Sequence, residues 1–314
     1  MTTTRTFSTT RTASKPGEPT KTKRKRKAFQ VSYASWWWAL PALALVIVTI
    51  YVTTVAGGFF AFTDWTGVGS FKLIGINNFT KIFKSKELLG SLVNTLFLAG
   101  GFLVATNVLG VLFALALNRT LKTRFLLRTL VFMPAVVSPV AVSYIWKFIF
   151  AYNGPLNQFL AAFGVPPQTW LGNPTFAIWC VLVVMVWQNI GFIMVTYLAG
   201  LATVPAEIEE AAALDGASTW RRFRSITLPL IQPSMAIAVT LTLLQGLRVF
   251  DQVMALTGGG PAGSTQTLAS EVYQQTFTYQ QFGFGAAMAL LMSALILIMS
   301  IAQQWLTRDR SEEA

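Results

Sequence analysis

Long apolar runs separated by short polar connections make up most of this 314-residue chain. A helix needs about 20 mostly apolar residues to cross a hydrocarbon core roughly 30 Å thick. Six runs reach that length: residues 37–62, 92–117, 125–150, 176–201, 230–256 and 284–306. Polarity does not alternate along them, so the pattern predicts helices rather than barrel strands. The expected fold is an all-α integral membrane domain over 36–314, with about six transmembrane helices. Residues 1–35, rich in Thr, Ser, Lys and Arg, are predicted to be a disordered tail. Trp36, Trp37 and Trp38 follow as an interfacial belt. The apolar run beyond them is too long for a cleaved signal peptide. One polar interruption stands apart, EEAAALDGASTWRRFRSITLPLIQPS at residues 209–234.

Composition agrees with the pattern. The chain is 54% hydrophobic and 11% charged, against about 25% charged in a typical soluble domain. It has no histidine and a single cysteine, Cys180, inside an apolar run. A disulfide framework, a His/Cys metal site and a histidine-based catalytic triad are therefore excluded. In a soluble protein a net charge of +12 would point to nucleic acid. Here the basic residues gather in particular connections, and membrane topology explains them better.

The tail holds Arg5, Arg11, Lys15, Lys21, Lys23, Arg24, Lys25, Arg26 and Lys27. The connection after the second run adds Arg119, Lys122, Arg124 and Arg128, and the one after the fourth adds Arg221, Arg222 and Arg224. Arg308 and Arg310 close the chain. All these connections fall on one side, which the positive-inside rule makes cytoplasmic. The opposite side carries Lys72, Lys81, Lys84 and Lys86, with Lys147 near the outer end of the third run. Both termini and the polar interruption are then expected in the cytoplasm. KTKRKRK (21–27) is either a topology anchor or a site for anionic lipid head groups.

The interruption carries its own helix signals. Pro205 suits a first turn, and Glu207, Glu209 and Glu210 complement the positive end of a helix dipole. Ala211, Ala212 and Ala213 favour helix and keep its face small. Gly216 can supply a left-handed terminating turn. Ser218 can cap a second short helix with Trp220 and Phe223 on one face. Such a bent pair either rests on lipid or docks on a protein. Three glutamates disfavour anionic head groups, whereas a small alanine face suits a protein groove.

Glu210-Ala211-Ala212, three residues, Gly216, nine residues, then Ile226-Thr227-Leu228-Pro229 resembles the EAA motif of ATP-binding-cassette importer permeases. The resemblance extends to FTDW (62–65), GINNFTKIF (75–83), MPAVVSPVAVSYIWKFIF (133–150), GPLNQFL (154–160), and ALTGGGP (255–261) with Tyr273. Together these are similar to the MalF/UgpA-type sugar permease family, whose fold is the type I importer transmembrane domain. The resemblance implies that residues 203–229 form a coupling helix seated on a cytoplasmic ATPase subunit. Glu210, Ala211, Ala212 and Gly216 occupy motif positions, and Asp215, Ala217 and Phe223 fit the surrounding pattern. It also implies two ATPase subunits that bind ATP and Mg, a sister permease, an extracytoplasmic solute-binding protein, and a bacterial cytoplasmic membrane. No G-x-x-x-x-G-K-[ST] phosphate loop occurs in this chain, so it is expected to be a transport subunit with no cofactor of its own and no ATPase site.

Polar residues within spans are costly and mark functional candidates. Trp187, Gln188, Asn189 and Phe192 lie in the fourth run, and Gln245, Arg248 and Asp251 in the fifth. Arg248 and Asp251 are three apart, which on a continuous helix puts them on one face. These residues either bind the bundle together or line a solute path. The resemblance favours a sugar path, with amides for hydroxyls and aromatic faces for C–H surfaces. Gly258-Gly259-Gly260-Pro261 reads as a tight, exposed outer turn. The resemblance gives it a part in gating or in contact with the binding protein. The rival reading is an ion-coupled secondary transporter, which needs ionisable groups in the spans. A membrane enzyme would need clustered carboxylates there, and the sequence has none.

Overall fold

The computed structural model describes residues 36–118 and 122–308, and its chain is built of helices and their connections. The basic tail at 1–35, Arg119 and Arg310 lie outside the described residues. The described chain divides into two units, the first ending at Tyr51 and the second beginning at Val52. In the first, a 3-10 turn at Trp36–Ala39 leads into α1 (Leu40–Val46) and then into a π-helical stretch, Ile47–Val52. Pro41 sits in the first turn of α1, where its missing N–H costs nothing. Leu43, Leu45, Ile47, Val48 and Ile50 are all exposed, as expected of a helix whose surroundings are lipid.

The second unit begins with α2 (Thr53–Phe60), in which the apolar helical run Trp37–Phe60 ends. The connection that follows is tied down rather than loose. Asn78 of α3 (Asn77–Lys84) donates to the carbonyls of Ala61 and Thr63 at 2.9 Å each, and Phe60 stacks on Trp65 at 4.3 Å. Next is α4 (Lys86–Leu117), longer at its start than the apolar run because Ser85 caps it by accepting from the Leu88 N–H.

The third expected span is not one helix. α5 (Arg124–Phe132) passes through a 3-10 turn at Met133–Val136 before α6 (Pro139–Ile149), and the two parts meet at 100°. Pro139 explains the break: the residue before a proline is driven out of the helical region, and Ser138 is extended at ψ 135°. After α7 (Pro155–Ala161) comes α8 (Pro174–Leu201), unbroken and capped by Asn173 accepting from Thr175 N–H at 2.9 Å.

Two short helices, α9 (Ala206–Leu214) and α10 (Thr219–Arg222), precede a π-helical stretch at Phe223–Thr227 and α11 (Leu228–Leu230). A 74° bend then leads into α12 (Gln232–Leu247). The fifth expected span is thus also interrupted. It bends at Ile231 and stops at Leu247, and helix resumes only in α13 (Asp251–Leu256). α14 (Leu268–Tyr273) and α15 (Phe282–Arg308) complete the chain. By length and apolarity four helices can cross a membrane, and six spans result if each bent pair counts as one.

α4, α8 and α12 form the packed centre. Towards the α13 end, Leu98, Phe102, Val142, Val181, Val184, Met185, Val249 and Val253 are buried together. Towards the α9 end the cluster is Ala114, Leu117, Ile193, Met194, Tyr197, Leu201, Ile231 and Ala238. Lipid offers no hydrophobic drive between helices, so close backbone approach and polar links hold them. Both are present. Asn107 of α4 donates to Thr242 of α12 at 2.9 Å and accepts from the Tyr197 hydroxyl of α8 at 2.7 Å.

Gly191 lets α8 lie directly against the α5 backbone. A Cβ there would overlap the Val131 carbonyl and come within 2.6 Å of Phe132 Cα. Gly100, by contrast, has nothing within 4 Å of the same atom. Gly191→Ala is expected to destabilise the detergent-solubilised protein by about 1–3 kcal/mol, as overpacking does. Gly100→Ala should leave the melting midpoint unchanged or raised, and thermal unfolding of the two variants side by side checks this.

Candidate functional site

The 100° break between α5 and α6 and the second break, between α12 and α13, open onto one cavity of about 430 Å³. Gln188 and Asn189 reach it from α8, Gln245 from α12, and Arg248, Asp251 and Gln252 from the second break. Val137 and Pro139, at the first break, line it as well. Irregular backbone within a span needs partners for its polar groups, or a water-lined cavity. Side chains supply them here. Gln188 donates to the Val137 carbonyl at 2.9 Å and accepts from the Gln252 amide at 3.1 Å. Thr267 donates to the Val249 carbonyl at 3.0 Å. Asn189 donates back to the Met185 carbonyl at 2.9 Å. Gln245, Arg248 and Asp251 are exposed at this surface.

The structure brings together Gln188, Asn189, Gln245, Arg248 and Asp251, but not Trp187 and Phe192. Successive helix residues point about 100° apart, so Trp187 turns away from Gln188. It meets Trp146 edge-on at 5.4 Å, while Phe192 is exposed elsewhere on α8. The expectation that Arg248 and Asp251 share a helical face is corrected. Arg248 follows the end of α12 and Asp251 opens α13, with non-helical Val249 and Phe250 between. Gln252 was missed in the sequence because nothing there indicated that the helix restarts at Asp251. The cavity offers amides, one guanidinium and one carboxylate beside the rings of Phe102 and Phe250. Such a lining suits a polar, hydroxyl-bearing solute.

The polar interruption forms a second feature, at the opposite end of α12. In α9, Glu207 and Glu209 occupy the first turn, where the helix dipole favours them. The helix ends in a Schellman motif, with Ala217 N–H donating to Ala212 O at 3.0 Å and Gly216 N–H to Ala213 O at 3.1 Å. This closure needs a left-handed residue, and Gly216 has φ +78°. Ser218 then caps α10 by accepting from Arg221 N–H at 3.3 Å. Trp220 and Phe223 lie 5.7 Å apart. Glu210, Ala211, Asp215 and Gly216 are exposed, while Ala212, Ala217 and Phe223 are half-buried. Leu214 is 90% exposed beside them, with Ile208 and Trp220 also exposed on the same pair of helices. Its position in the alanine run hid it within what read as helix-forming sequence.

The glycine turn is tight but not simply exposed. Thr257 and Thr265 share a hydrogen bond of 2.7 Å, and Thr265 also donates to the Gly260 carbonyl at 2.9 Å. Gly259 is buried, and a Cβ there would overlap Gln266. Thr267 and Ser270 form a capping box for α14, and Thr95 of α4 accepts from Leu268 N–H at 2.9 Å. The loop is therefore built into the bundle. Its threonines bond within the loop while Leu268 N–H reaches Thr95, far away in sequence, and a run of glycines does not reveal that partner.

Known proteins are similar to this chain. Residues 106–312 match the family of binding-protein-dependent transport system inner membrane components. The multiple sugar-binding transport system permease protein MsmF of Streptococcus mutans is 35% identical over 86% of this chain and 94% of its own. The trehalose/maltose transport system permease protein MalF of Thermococcus litoralis is 33% identical over 87% and 93%. The probable starch degradation products transport system permease protein AmyD of Thermoanaerobacterium thermosulfurigenes is 30% identical over 92% and 99%. The fold matches a chain of a bacterial alginate ABC transporter solved with an alginate pentasaccharide-bound periplasmic protein. The TM-score is 0.78, at 22% identity over 87% of this chain and 93% of that one.

Gln188 holds both breaks in place, so Gln188→Leu strands the Val137 carbonyl and the Gln252 amide. A loss of about 1–3 kcal/mol is expected for the unmade bonds. Gln252→Leu strands only the Gln188 carbonyl and should cost less. Melting midpoints of the two variants in the same detergent test the order.

Proposed function

The chain belongs to the family of binding-protein-dependent transport system inner membrane components, and on that premise we propose that it forms half of the sugar path of an ATP-driven importer. The observation that carries this reading is the pairing of two features in one chain. A polar cavity lies at the helix breaks, and a charged helix–turn–helix with EAA spacing leads directly into α12.

In this reading a sister permease supplies the other half of the path, and an extracytoplasmic solute-binding protein delivers the sugar. Two ATPase subunits bind ATP and Mg and seat α9 and α10 at Glu210, Ala211, Ala212, Asp215, Gly216, Ala217 and Phe223. Their closure displaces α9, which turns α12 and alternates access to the cavity. Both termini, with the basic tail, face the cytoplasm. The named sugars of the relatives support a carbohydrate substrate, and so does a lining rich in amides. Gln188, Asn189, Gln245, Arg248 and Asp251 contact it, while Trp187 and Phe192 stand outside the cavity. The chain performs no covalent chemistry. Its contribution is a shaped polar route and a lever.

The test is uptake into liposomes carrying the full complex, with labelled maltose, trehalose and lactose as probes. Glu210→Lys is expected to lose ATPase-subunit association and uptake together. Gln245→Ala should keep the assembly and lower uptake by roughly fivefold, the cost of about one hydrogen bond. Uptake that persists with no ATPase subunit present would overturn the reading in favour of an ion-coupled carrier.

A further inference from the structure

The helix α9 buries none of its own residues. Packing alone therefore does little to fix it against the bundle, although a docking element that transmits force has to be fixed. The backbone route from α9 to α12 is also poorly suited to carrying a displacement. It runs through the Gly216 turn, the π-helical stretch Phe223–Thr227, Pro229 and the 74° bend before Gln232. Pro229 has no N–H to give, and bends and π-helical turns are where helices yield.

One side-chain contact bypasses the Gly216 turn and the π-helical stretch and lands on Thr227, just before Pro229. Thr227 Oγ1 donates to Glu209 Oε1 at 3.0 Å, across a sequence separation of 18 residues. Glu209 is half-buried, unlike its exposed neighbours Glu207 and Glu210, and Thr227 is only 4% exposed. The Thr227 carbonyl in turn accepts from Ile231 N–H at 3.0 Å. Ile231 is 1% exposed, within the cluster formed by Ala114, Met194, Tyr197 and Leu201. Glu209, Thr227 and Ile231 thus form a short chain of contacts from α9 into the packed centre. A hydrogen bond to a carboxylate is among the stronger ones a protein makes.

We propose that the Glu209–Thr227 hydrogen bond is the strut by which α9 moves α12, making both of them positioning residues for transport. The inference rests on α9 being the element that the ATPase seats. Glu209 is not the glutamate of the EAA motif, Thr227 is buried, and neither lines the cavity, so neither acts by contacting solute.

The test uses the full complex in liposomes, and the probe is whichever of maltose, trehalose and lactose the wild type takes up fastest. The quantity read is solute taken up per ATP hydrolysed. Thr227→Val and Glu209→Ala should retain the bound ATPase subunits yet lower that ratio by roughly fivefold or more, the low end for coupling between linked sites. Thr227→Ser and Glu209→Gln keep a donor and an acceptor, and should restore it. The double variant Thr227→Val/Glu209→Ala should be no worse than either single change, as expected for two halves of one contact. Glu209 is half-exposed, so its variants remain informative even if Thr227→Val fails to fold. An unchanged ratio in Glu209→Ala would overturn the strut. So would losses that multiply in the double variant, or a fall in uptake that only follows loss of bound ATPase. If the wild type takes up none of the three sugars in an ATP-dependent way, the importer reading itself fails and the strut with it. If the wild type is coupled and the variants match it, the strut alone fails.

Discussion

A backbone that enters lipid must satisfy its own N–H and C=O groups, because no water is present to do so. Continuous helix meets that demand without help, and α4, α8 and α15 are long and regular for this reason. Every departure from helix has to find substitute partners in the protein. Gln188 serves the first break by bonding the Val137 carbonyl, Thr267 serves the second by bonding the Val249 carbonyl, and Thr95 receives the Leu268 N–H where α14 enters the bundle. The polar side chains within the spans first make irregular backbone tolerable. The cavity is a consequence of that irregularity.

Residue roles overlap for the same reason. Gln188 lines the cavity and also holds its walls, so binding and scaffolding readings of that residue are not alternatives. Asn107 differs. It joins Tyr197 and Thr242 in the packed centre and does not line the cavity between the breaks, and it holds α4, α8 and α12 together where apolar contact alone gives no preference over lipid. Gly191 and Gly246 act alongside it by allowing backbones to touch: a Cβ at Gly246 would stand 2.7 Å from Ala99 Cα. The centre is closely packed, while the two ends of α12 are jointed. That contrast suits a helix driven at one end and open to solute at the other.

The helix–turn–helix at 206–222 was the most legible part of the chain. Its signals are local: acidic residues at a helix start, a left-handed glycine at its end, a serine cap three residues before a donated N–H. Each needs only neighbours within a few positions, so Gly216 and Ser218 stand where their residue types place them. The Glu209–Thr227 bond was not legible, because nothing in a sequence pairs two residues 18 apart across a bend. The glycine loop misled for a related reason. Gly258 to Gly260 mark a turn correctly, but whether a turn is exposed depends on what folds over it.

The sequence by itself determined that this chain is helical and membrane-spanning, and it located the polar segment with its capped bend, because hydrophobic run length and capping chemistry are properties of adjacent residues. The tertiary structure alone decided where the spans break, which polar residues converge, and which merely sit near them in sequence. Trp187 and Gln188 are neighbours in the chain, yet only Gln188 reaches the cavity. Arg248 and Asp251 both line it from either side of a break rather than along one helix. A prolyl residue makes a break possible, and at the 100° bend a distant side chain, Gln188, donates to the freed Val137 carbonyl.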